Sequence, residues 1–100
     1  LLPGTLMGAN GACMWLGNVA PALCAEIVGS GFAGRFSEAR ELQRTATRLD
    51  AAIGAHGTAG VKTALGLLGF EGMTPRRPRR SLNESEVGSI RAALEPAGLL

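Results

Sequence analysis

The stretch from Asn10 to Pro21 constrains the fold more than any other part of the chain. Ala12-Cys13-Met14-Trp15-Leu16 is a short, continuous apolar run, with Asn10-Gly11 before it and Gly17-Asn18 after it. A few apolar residues between turn signals fit a fully buried strand of the parallel type. The flanking glycines leave the run too short for a helix. A lone strand cannot satisfy its own backbone N–H and C=O groups. Its partners are therefore expected outside this chain, which also begins with Leu1 rather than Met, as a piece of a longer protein would.

The rest reads as helix. Pro21 suits the first turn of one, where its missing N–H costs nothing. Ala20, Leu23, Cys24, Ile27 and Val28 follow at helical spacing, and Gly29, Gly31 and Gly34 are expected to end it. Phe36, Ala39, Leu42, Ala46, Leu49 and Ile53 form one apolar stripe along a long helix that Ser37 could cap. Arg40, Arg44 and Arg48 share another face, near Glu38 and Glu41. That pattern reads as a solvated face with mixed ion pairs rather than a binding ridge.

Residues 54–60 read as a glycine-rich loop, and Val61, Ala64, Leu65 and Leu68 as a shorter helix stopped near Gly69. Residues 71–81, with Pro75 and Pro78, read as an irregular arm. Asn83 with Glu86 resembles a capping box, and Leu82 with Val87 a hydrophobic staple. Ile90 and Leu94 continue that helix until Pro96 and Gly98. The expectation is a strand over 11–17 and helices over 19–33, 35–55, 60–69 and 83–94.

Composition narrows the class. Hydrophobic residues make up 46% of the chain and aromatics only 4%, with 15 glycines. Such chains suit helices packed closely on strands. The net charge of +2 is too small to imply a polyanionic partner. The first charged residue is Glu26, yet Pro3, Asn10, Asn18, Pro21 and several glycines interrupt any membrane-spanning run, and no basic start marks a signal peptide. Cys13 and Cys24 form no CxxC pair, and no histidine stands near them at metal-ligand spacing. They read as buried free thiols of a cytoplasmic protein, and no cofactor or metal is expected.

Gly8-Ala9-Asn10-Gly11-Ala12 followed by Leu16-Gly17-Asn18-Val19-Ala20-Pro21 resembles the last barrel strand of the dihydrodipicolinate synthase / N-acetylneuraminate lyase family. The stretches RFSEARELQ (35–43), VKTALGLLG (61–69), PRRPRRSLNESE (75–86) and IRAALEPAGLL (90–100) are similar to that family's tail, in the same order. No single piece is specific; the ordered set is. The resemblance implies an α/β fold: the C-terminal piece of a (β/α)₈ barrel plus a three-helix extension. On that map residues 1–34 are the barrel end: the close of the seventh helix, the eighth strand over 11–17 and the eighth helix over 19–33. Residues 35–100 are the extension.

The resemblance further implies a lyase acting on pyruvate or a related 2-keto acid through a lysine Schiff base. That lysine, and the tyrosine and threonines that assist it, would precede Leu1; this chain contains no tyrosine. The fragment alone is then not catalytic. The parent would be a cytoplasmic homo-oligomer, a tetramer by resemblance, with no membrane or nucleic-acid partner. Met14 and Trp15 depart from the small residues usual there, and Arg76 to Arg80 from the usual apolar ones.

Gly17 and Asn18 are the substrate-binding candidates. They close the strand at the barrel's C-terminal face, where sites of this fold sit, and an amide there can donate to a substrate oxygen. Equally, Asn18 could cap the helix that begins near Val19. Lys62, the only lysine, lacks an acid or base at useful spacing and reads as structural or surface. His56 stands alone in its loop and is given no role. Arg76-Arg77-Pro78-Arg79-Arg80 reads as a solvated arm. The alternative is a small basic helical module that binds nucleic acid or a protein through residues 76–80, but no aromatic residue interleaves the arginines for base stacking.

Overall fold

A computed structural model describes residues 1–71 and 73–100. Among them the regular elements are helices: α1 (Leu2–Leu6), α2 (Leu16–Val19), α3 (Pro21–Phe32), α4 (Phe36–Gly54), α5 (Gly57–Leu67) and α6 (Glu84–Leu94). The chain divides into two compact units, Leu1–Thr47 and Arg48–Leu100, with the boundary inside α4.

In the first unit α1 and α2 both pack on α3. Leu2, Leu16, Val19, Ala20 and Ile27 are buried, as are Ala39 and Ala46 of α4. Pro21 opens α3, as its lack of an N–H favours. The helix then runs through Gly29 and Gly31 instead of ending there, and the chain turns at Gly34, where φ is +75°. Packing explains this: a Cβ on Gly31 would collide with Thr5 Oγ1, so glycine is what lets α1 approach α3. The Leu2 amide donates to Gln43 Oε1 at 2.9 Å, and Thr5 Oγ1 donates to the Leu2 carbonyl at 2.8 Å.

The expected strand over 11–17 is absent. Residues 11–14 have no regular structure, Trp15 is in a turn, and Leu16 already opens α2. The physical reason is the one the sequence raised: a strand exists only through its neighbours, and among the described residues there is no other. Residues 8–13 are exposed rather than buried, and Cys13 with them.

In the second unit α5 packs on α6. Leu49, Ile53, Ala59, Ala64, Ile90 and Leu94 are buried. The stripe along α4 is therefore real, except that its first member, Phe36, is exposed and opens the helix, so that Ser37 falls inside the first turn instead of capping it. Helix α5 starts three residues earlier than the glycine-rich composition suggests, at Gly57. Gly60 is helical and buried, placed where a Cβ would strike the Ile53 carbonyl oxygen. The capping box at α6 is complete: Glu86 N–H donates to Asn83 Oδ1 at 2.9 Å and Asn83 N–H to Glu86 Oε2 at 2.8 Å.

Candidate functional site

The chain between α1 and α3 is built almost entirely from backbone. The Ala9 amide donates to the Gly4 carbonyl at 2.9 Å, and Gly8 turns the chain with φ at +88°. The amides of Gly17, Asn18 and Ala20 donate to the carbonyls of Met14, Trp15 and Leu16 in turn, which winds α2. Asn18 is exposed. Its Nδ2 donates to the Trp15 carbonyl at 2.9 Å, the same oxygen that receives its own amide. A helix cap works the other way, with the side-chain oxygen accepting from an amide. Asn18 is thus no cap: α2 and α3 begin at Trp15 and Ala20 without side-chain cap bonds. It braces the α2 turn as a donor.

Gly17 is half-buried, and a Cβ there would meet nothing within 4 Å. It lines a cleft of about 470 Å³ whose walls include Met14, Cys24 and Val28. A second cleft of about 270 Å³ lies between the α1 segment and Met14, bordered by Thr5, Ala12, Cys13 and Val28. The thiols of Cys13 and Cys24 are the only titratable side chains on these walls. Burial pushes the Cys24 thiol up, toward the neutral form. These clefts offer shape and apolar surface, but no carboxylate, imidazole or side-chain amine for proton transfer. Among the described residues no cluster of His, Cys, Asp or Glu could hold a metal ion, and no helix is long and apolar enough to cross a membrane.

The other residues considered from sequence lie in the second unit. Lys62 is half-buried, and its Nζ donates to the Thr74 carbonyl at 2.8 Å, which ties the arm to α5. His56 immediately precedes α5, with Nδ1 at 4.0 Å from Glu86 Oε1. Arg80 grips the same carboxylate with two bonds of 2.7 Å. The Arg80 hydrogen bonds, helped by the Asn83 amide, hold the Glu86 carboxyl down at about 2.

Sequence reasoning missed a cleft of about 470 Å³ lined by Thr58, Lys62, Arg76, Arg77, Pro78 and Arg79. Its signal was present in two pieces, Lys62 and the arginine arm, that had been read separately. Arg79 Nη1 donates to Thr58 Oγ1 at 3.1 Å and joins them.

Against known proteins, residues 1–97 match the model of the dihydrodipicolinate synthetase family. The chain is 40% identical over 94 residues to 4-hydroxy-tetrahydrodipicolinate synthase of Bartonella tribocorum, covering 93% of this chain and 32% of that protein. It is 35% identical over 96 residues to N-acetylneuraminate lyase of Rhizobium meliloti, covering 95% and 32%. A crystal structure of dihydrodipicolinate synthase superimposes with a TM-score of 0.87 at 27% identity, over 99% of this chain and 35% of that one. The chain thus spans about a third of the length of the relatives it matches.

Proposed function

Because this chain belongs to the dihydrodipicolinate synthetase family, we propose that it is the C-terminal part of a lyase acting on pyruvate or a related 2-keto acid. The Schiff-base lysine of that lyase lies outside residues 1–100. One observation carries the reading: an apolar, charge-free segment stands open. Met7 is 88% exposed and Leu6 58%, and residues 8–13 after them are exposed as well. A self-contained domain has reason to cover such a run. Neighbouring barrel strands would cover it and pair its backbone. On this reading residues 1–34 close the barrel and residues 35–100 form its helical extension. The parent is cytoplasmic and homotetrameric, as the family resemblance implies. Gly17 and Asn18 face the substrate end of the last strand, with the Asn18 amide turned from Trp15 to a substrate oxygen. The alternative, a basic module binding nucleic acid or a protein through residues 76–80, finds no support among relatives that are lyases.

Borohydride reduction of the parent enzyme with pyruvate tests this. The adduct is expected on a lysine outside residues 1–100, and the 100-residue chain alone is expected to trap none. A pyruvate-derived mass increase on Lys62 refutes the proposal. In the parent, Asn18→Ala is expected to raise KM or lower kcat without unfolding the protein. Unchanged kinetics would leave Asn18 only its bond to Trp15.

A further inference from the structure

The cleft between α5 and the arm has an unbalanced wall. Lys62, Arg76, Arg77 and Arg79 line it, and no acidic residue does. Among the described residues, none of the four makes an ion pair. Of the carboxylates that flank the arm in sequence, Glu71, Glu84 and Glu86, none lines the cleft, and Glu86 is already engaged by Arg80, the Asn83 amide and His56. Elsewhere Arg35 pairs with Glu38 at 3.0 Å and Arg44 with Glu41 at 2.6 Å. Four like charges around one hollow repel one another, and a bound anion would relieve that repulsion.

The cleft is also built, not a loose tail. The arm is held to α5 at two points, Lys62 to the Thr74 carbonyl and Arg79 to Thr58 Oγ1. Those bonds leave Lys62 and Arg79 with further N–H groups, and the guanidinium forks of Arg76 and Arg77 are exposed. Thr58, in the first turn of α5, adds a hydroxyl and the positive end of the helix to the same wall. Planar arginine forks with a lysine point charge match phosphate oxygens in geometry and charge.

We infer that this cleft binds a small polyphosphorylated metabolite. A volume of about 470 Å³ suits a small molecule. A nucleic acid would use a longer track with aromatic stacking, and the cleft wall carries no aromatic residue. This inference is independent of the lyase reading.

Inorganic pyrophosphate is the probe. Calorimetric titration into the longest native form of the protein carrying these residues, at about physiological salt, is expected to give one saturable site per chain. Arg77→Gln and Lys62→Gln should each weaken binding roughly ten-fold, the loss of about one charge-assisted hydrogen bond. Arg40→Gln, on an exposed helix face in the other unit, should leave it unchanged. Should Lys62→Gln disturb the fold, as circular dichroism would report, Lys62→Arg keeps the charge and should retain binding. The inference fails if no saturable site appears, if Arg40→Gln weakens binding as much as Arg77→Gln, or if Lys62→Arg abolishes it. It fails equally if a single-stranded oligonucleotide displaces pyrophosphate at lower phosphate concentration, which would assign the arm to nucleic acid.

Discussion

In the unit Arg48–Leu100 local side-chain bonds hold α6 and the arm, although α5 begins without a side-chain cap, whereas the unit Leu1–Thr47 leaves much of its first half open. Helix α6 carries a reciprocal capping box reinforced by Arg80, and the arm is tied to α5 by two side-chain bonds. Helices α1, α2 and α3 begin without any side-chain cap, and residues 8–13 lie exposed without regular structure. The difference teaches where each part finds its stability. A segment stabilised by its own neighbours in sequence carries charges, caps and turn residues. On the proposed reading, the first unit relies on barrel strands from outside residues 1–100, and such a segment needs only apolar side chains and free backbone.

The largest expected effects test that division. Ile90 in α6 and Ile27 in α3 are both fully buried. Truncating a buried isoleucine to alanine costs about 2–5 kcal/mol where the surroundings are firmly packed. In the isolated 100-residue chain, Ile90→Ala is expected to fall in that range by urea denaturation followed by hydrogen exchange. Ile27→Ala should cost distinctly less, because on the proposed reading the strands that hold its unit lie outside residues 1–100. Equal costs, in one cooperative transition, would break the comparison.

A smaller pair of effects concerns helix approach. In Gly60→Ala the new methyl meets the Ile53 carbonyl oxygen, a backbone atom that cannot turn aside. In Gly31→Ala it meets the Thr5 hydroxyl, a side chain that can. Overpacking of this kind costs about 1–3 kcal/mol, and Gly60→Ala should stand at the upper end. Thr5→Ala should relieve part of the Gly31→Ala cost and leave that of Gly60→Ala untouched. A double-mutant cycle between positions 5 and 31 with no coupling would remove the proposed contact.

What could be read from sequence follows the same line. The α4 stripe, the place of Pro21 and the Asn83–Glu86 box were all legible, because each depends on residues three or four apart. The strand expected over 11–17 was a misreading: an apolar run signals a preference for burial, but a strand also needs pairing partners, and among the described residues there are none. The glycines misled in one consistent way: Gly29, Gly31 and Gly60 read as breakers yet lie inside helices. At Gly31 and Gly60 a neighbouring element comes too close for a Cβ, a fact no local pattern carries. In the site, Gly17 lines a cleft, and the direction of the Asn18 hydrogen bond was not legible, since donor and acceptor roles of an amide look alike in sequence. The cationic cleft escaped because Lys62 and Arg76 meet only through the path of the arm.

The smallest effect is electrostatic, and it belongs to the locally stabilised unit. Glu86 accepts from Arg80 and from the Asn83 amide, and both favour its charged form. Its folded pKa of about 2 lies below the roughly 4.3 of an unfolded glutamate. The unfolded chain therefore takes up this proton first as pH falls. The stabilisation is complete above about pH 4.3 and disappears as pH approaches the folded value near 2. Because Arg80 is exposed, salt screens the Coulombic part. The contribution is best read at the carboxyl itself. Carbon-detected NMR titration of Glu86 should show a midpoint near 2, and Arg80→Gln should move it up toward the ordinary range. A wild-type midpoint in the ordinary glutamate range, roughly 4.3, would show that the box and the arginine do not hold together in solution. The contrast between the two units would then rest on packing alone.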